Sequence, residues 1–103
     1  MTVEIVISKR ARLNLGAISD WWNREVGTTL FSDELSRAWK LLEAVPGVGP
    51  PYRKGPGAHV RRLLLPRSQY YVYYEYLPGS PTLTVITVWS TRRGHGPDLS
   101  TIE

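Results

Sequence analysis

With 103 residues, 42% of them hydrophobic and 21% charged, the chain has the size and make-up of one small folded domain, 1–103. It has no cysteine and only two histidines, His59 and His95. That excludes a disulfide framework and a thiolate metal centre and leaves no ligand set for a structural metal. No apolar run reaches the length of a membrane span, and the N-terminus lacks the charged region of a signal peptide. The chain therefore reads as a complete cytoplasmic protein with no membrane partner and no cofactor.

The net charge of +4 is unevenly placed: residues 1–50 carry six basic and six acidic side chains, residues 51–103 seven basic and three acidic. A positive surface suits an acidic partner, nucleic acid or polypeptide, and equally serves plain solubility.

In chain order, the β-branched run Val3–Ser8 predicts a first strand, and Ser8 is placed to cap the helix that follows. Ala11, Leu15, Ile18 and Trp22 recur at helical spacing, and Gly27 ends that helix. Thr28 or Thr29 can cap a second helix, whose stripe is Phe31, Leu35, Ala38, Leu42 and Val45, with Pro46 as its stop. Two short-linked helices with matching stripes predict an antiparallel hairpin that needs a sheet to cover. Trp21 and Trp39 fall just off the stripes, at the edge of the core. The segment from Pro46 to Gly57, with four prolines and four glycines, predicts a loop that reads first as a plain linker, with Tyr52, Arg53 and Lys54 as the residues a contact patch would use.

Three strands follow in a meander: His59–Leu65, Gln69–Tyr76 and Thr82–Ser90, separated by Pro66–Ser68 and Leu77–Pro81. In the last strand simple alternation places Leu83, Val85 and Trp89 on one face and Thr84, Ile86 and Val88 on the other, so both faces are largely apolar. Tyr70, Tyr71, Tyr73, Tyr74 and Tyr76 crowd the middle strand. Each tyrosine alone is ordinary sheet packing; together they suit an interface. Arg92 and Arg93 at the end of the last strand offer forked donors to phosphate or carboxylate. His95 can serve as a general acid–base where a substrate lies beside it, or simply stand exposed in its loop.

The order strand, helix hairpin, Pro/Gly loop, then "HVRRLLLPRSQYYVYYEY" and "TLTVITVWSTRRGHGPDL", resembles the ParE/RelE superfamily of toxins from type II toxin–antitoxin modules over nearly the whole chain. The resemblance implies an α+β fold: an N-terminal strand and an antiparallel two-helix hairpin packed on one face of a small, mostly antiparallel β-sheet. It also implies a cognate antitoxin laid over the toxin, with DNA engaged only indirectly through that antitoxin. In the RelE-like branch, which cleaves mRNA on the ribosome, the resemblance assigns Arg62, Arg93 and His95 as candidate catalytic residues. Tyr71 and Thr91 stand where that branch carries arginines. The ParE-like branch, known for poisoning DNA gyrase, looks closer in its "RRLLL" strand and "VWSTRRG" ending. It implies a binding toxin with Arg61, Arg62, Tyr71, Tyr73, Trp89, Arg92 and Arg93 facing target or antitoxin. An inactive interaction domain is the third reading.

Overall fold

A computed structural model describes residues 2–53 and 57–99. Strand β1 (Glu4–Ile7) leads into helix α1 (Lys9–Trp21), a wide π-helical turn (Trp22–Val26) and helix α2 (Leu30–Ala44). Three strands complete the chain: β2 (Val60–Leu65), β3 (Tyr70–Glu75) and β4 (Thr82–Ser90). The sheet order is β1-β4-β3-β2, with β1 parallel to β4 and the other pairs antiparallel. This is the α+β arrangement expected from the sequence.

Ser8 joins helix to sheet. Its hydroxyl oxygen accepts the Ala11 N–H at 3.1 Å and its hydroxyl donates to the Ile86 carbonyl at 2.9 Å. Capping α1 and fixing it to β4 are thus one event. At the far end of α1 the backbone widens into the π turn, which closes at Gly27 (φ 69°), a left-handed position that costs glycine little. Trp22 is buried there and its Nε1–H donates to the Tyr70 hydroxyl at 3.3 Å. The N-cap of α2 is Thr29, and Thr28 just before it accepts the Leu30 N–H at 3.2 Å.

The helices cover one face of the sheet with Ala11, Phe31, Ala38 and Leu42, against Leu65, Val72, Tyr74, Leu83, Val85 and Val88. Val45, expected on the same stripe, is 49% exposed, because the helix has already ended when the chain reaches it. A second, smaller cluster on the opposite face joins Val60, Tyr73, Ile86 and Leu99.

Simple alternation fails in β4. A bulge shifts the register so that Tyr73 pairs with Thr87 while Tyr74 pairs with Val85, leaving Ile86 as the extra residue. Val85 and Val88 therefore share the helix-covered face, and Ile86 and Trp89 share the other. Strict alternation would instead pair Val85 with Trp89 and Ile86 with Val88.

The proline-rich loop is more than a connection. Tyr52 N–H donates to the Val60 carbonyl at 2.8 Å, and Arg62 N–H donates to the Pro50 carbonyl at 3.1 Å. Pro50–Tyr52 thereby covers the outer edge of β2, which would otherwise present unpaired backbone groups. Lys54 lies outside the described residues.

Candidate macromolecule-binding site

The face of the sheet away from the helices is organised by Arg62. Placed midway along β2, it lies opposite Tyr73 in the register, and its Nη1–H donates to the Tyr73 hydroxyl at 3.3 Å. Its guanidinium carbon sits 4.1 Å from the centroid of the Tyr71 ring and 5.2 Å from that of Tyr52. Tyr52 in turn meets Tyr73 edge-on, centroids 4.9 Å apart. Burial works against the Arg62 charge, but the Tyr73 hydroxyl and the neighbouring phenol oxygens outweigh it and hold the pKa above its ordinary value. Burial pushes the Tyr73 phenol up as well, with Arg62 pulling partly the other way. The result is a flat, permanently charged cation framed by rings, with donors that, among the described residues, bind only the Tyr73 hydroxyl.

A second group stands where β4 ends. The Arg93 guanidinium carbon lies 4.3 Å from the centroid of the Trp89 ring. The Trp89 indole N–H donates to the His95 carbonyl at 2.8 Å, and the His95 ring meets Trp89 edge-on at 5.7 Å. This turn brings Gly94, His95 and Gly96 against Pro51, Tyr52, Arg53 and Arg62, enclosing a cleft of about 420 Å³. On the α1 side of the same strand end, Asn14, Trp21, Trp89 and Arg93 border a second groove of about 370 Å³.

The predicted residues thus separate into sets. Arg62, Tyr71 and Tyr73 come together, Trp89, Arg93 and His95 come together, and the cleft joins Arg62 to His95. Arg92 is exposed in the turn after β4. Arg61 points elsewhere, donating from Nη1 to the carbonyls of Gly47 and Gly49 at 3.2 and 2.7 Å. The tyrosines divide too: Tyr70 and Tyr74 belong to the helix-side core, Tyr71 and Tyr73 to the face bearing Arg62.

No family model and no curated protein sequence matches the chain. Solved structures do. A chain of the chromosomal ParDE TA (toxin–antitoxin) system from P. aeruginosa superposes with a TM-score of 0.66 at 18% identity, covering 86% of this chain and 96% of that one. A doubly substituted mutant of E. coli toxin RelE in the free state gives 0.60 at 19% identity, covering 91% and 88%. The chain has a RelE/ParE-like fold.

Within this RelE/ParE-like fold the open face is partly filled by the segment after β4 and by the Pro/Gly loop. Leu99 is buried against Val60, Tyr73 and Ile86, and the Asp98 carbonyl accepts a hydrogen bond from Arg10 of α1. Tyr52 covers Tyr73 from the other side. Leu99 was not legible in the sequence, although an apolar residue two beyond Pro97 was a signal present. What stays accessible is the Arg62–Tyr71 stack, the cleft with His95 and the Arg93–Trp89 pair. Among the described residues no group of His, Cys, Asp and Glu is placed to hold a metal, and no helix is long and apolar enough to cross a membrane.

Proposed function

We propose that this chain is the toxin of a type II toxin–antitoxin module, held inactive by a cognate antitoxin, and that it acts by binding and inhibiting DNA gyrase. The fold shared with a chain of a ParDE system supports the toxin reading. The observation that carries the binding mode is the Arg62 stack. The central cation is committed on two ring faces and one hydroxyl, which suits a rigid contact surface with charge to offer an acidic partner. Arg93 over Trp89 extends that surface along the strand end. An antitoxin with acidic side chains would meet the same groups, so its affinity should fall as salt rises. DNA would be reached through the antitoxin and not by this chain itself.

A second reading, ribosome-dependent mRNA cleavage, draws on one observation: Arg62 and His95 line the same cleft. There an arginine would neutralise phosphate and an imidazole would move a proton. Induction in cells lacking the antitoxin separates the readings. Growth arrest with DNA-damage signalling supports the gyrase inhibitor, arrest with loss of translation supports the ribonuclease, and unimpaired growth supports an inactive interaction domain.

A further inference from the structure

Behind the cleft, on the helix side of the sheet, a cross-strand pair holds the loop that forms one of its walls. Arg61 of β2 lies opposite Tyr74 of β3. The Tyr74 hydroxyl accepts the Gly49 N–H at 3.0 Å, and Arg61 donates to the Gly49 carbonyl at 2.7 Å and the Gly47 carbonyl at 3.2 Å. Both backbone groups of Gly49 are therefore taken by one pair of side chains. The approach is close enough that a Cβ on Gly49 would stand 2.8 Å from the Tyr74 hydroxyl and 2.8 Å from the Arg62 carbonyl, so only glycine fits.

Pro50 and Pro51 come next, and their fixed φ carries the position of Gly49 forward with little slack. Tyr52 follows, its N–H on Val60 and its ring against Tyr73 and the Arg62 guanidinium. Gly96 closes the front, where a Cβ would come within 2.5 Å of the Tyr52 hydroxyl. We infer that Tyr74 and Arg61 are positioning residues, which set Tyr52 against Arg62 by holding Gly47–Gly49 from behind. Tyr74 is 0% exposed and cannot contact a target itself. Arg61 then contributes through the loop and not through a charge offered to the partner.

The inference rests on the cleft being the target-facing site, and the experiment keeps the two apart. The full chain is prepared as wild type, Tyr74→Phe, Arg61→Met and the double variant. The Arg62 Hε resonance, displaced by the ring currents of Tyr71 and Tyr52, is recorded by NMR beside the melting temperature. Inhibition of gyrase supercoiling is titrated in parallel, with Arg62→Ala as reference. Both single variants are expected to move Arg62 Hε towards its position in free arginine. Inhibition should weaken about three- to tenfold, the scale of one lost hydrogen bond, and the double variant should be no weaker than the worse single, since both act on one loop. An Arg62 Hε that stays in place in both single variants overturns the inference, whatever the melting temperatures do. So does a double variant whose losses multiply, because Arg61 would then be touching the target. A wild-type protein that leaves supercoiling untouched, while its Arg62 Hε still responds to Tyr74→Phe, would remove the gyrase reading and leave the positioning role intact.

Discussion

Arg62 faces Tyr73 across the β2–β3 ladder, yet its guanidinium rests on Tyr71, the diagonal neighbour two residues back, at 4.1 Å from the ring centroid. The directly opposed partner gives a hydrogen bond and the diagonal one a π-face, so a single side chain ties both outward tyrosines of β3. Replacing Tyr71 with Leu keeps an apolar support and removes the ring quadrupole. We expect that variant to lose about 0.5–1 kcal/mol in urea unfolding. Arg62→Lys should lose more of the target affinity than of the stability, because an ammonium cannot present the planar fork.

Glu34 answers to a different demand. Though it lies on the buried side of α2, its carboxylate accepts the Arg67 N–H at 2.8 Å and the Ser68 N–H and hydroxyl at 2.9 and 2.6 Å, pinning the β2–β3 turn to the helix. Burial alone would raise its pKa. The Ser68 hydroxyl, the two backbone N–H groups and the Arg67 charge reverse that and bring it below the ordinary 4.5. A carboxyl depressed by folding contributes stability above its unfolded value, and that contribution is lost as pH falls through the folded value. Acid titration monitored by circular dichroism should therefore show an unfolding limb below pH 4.5 that flattens in Glu34→Gln. The variant should cost about 1.5–3 kcal/mol at neutral pH, as expected for bonds to a charged acceptor.

The alkaline side has the opposite sign. Burial holds the Tyr73 and Tyr74 phenols above their ordinary 10.0, with Arg62 and the Gly49 N–H respectively opposing it. An acid whose pKa is raised by folding contributes fully below its unfolded value and loses that contribution as pH rises through the folded one. Stability should fall above pH 10.0, and less steeply in Tyr74→Phe, even though that variant is weaker at neutral pH.

Several of these relationships could be read in the sequence and others could not. The helical stripes, the stop at Pro46 and the meander depend on local periodicity, which survives in a single chain. The bulge that turns Ile86 and Val88 to opposite faces does not, because it arises from pairing with Tyr73 and Tyr74 twelve or more residues away. Adjacent arginines in a strand must point apart, so Arg61 and Arg62 could have been separated in advance. That Arg61 would find Gly47 and Gly49 could not, since it depends on how a Pro/Gly loop folds back. Nothing local to α2 singles out Glu34, because its partners lie more than thirty residues later.

Leu99 makes a separate expectation. It is buried in the small cluster with Val60, Tyr73 and Ile86, so Leu99→Ala should cost about 2 kcal/mol, the low end for a buried leucine because the cluster is small. Hydrogen exchange should quicken at Ile86 and Val60 before it does in the helix-side core around Leu42 and Val72.

The proposed inhibition of gyrase through the surface around Arg62 is tested most directly by a supercoiling assay with purified protein, run beside translation of a reporter mRNA on ribosomes. The wild-type chain is expected to block supercoiling, Arg62→Ala to relieve the block, and the mRNA to stay whole. Ribosome-dependent cutting of the mRNA, lost in Arg62→Ala or His95→Ala while supercoiling proceeds untouched, would contradict it.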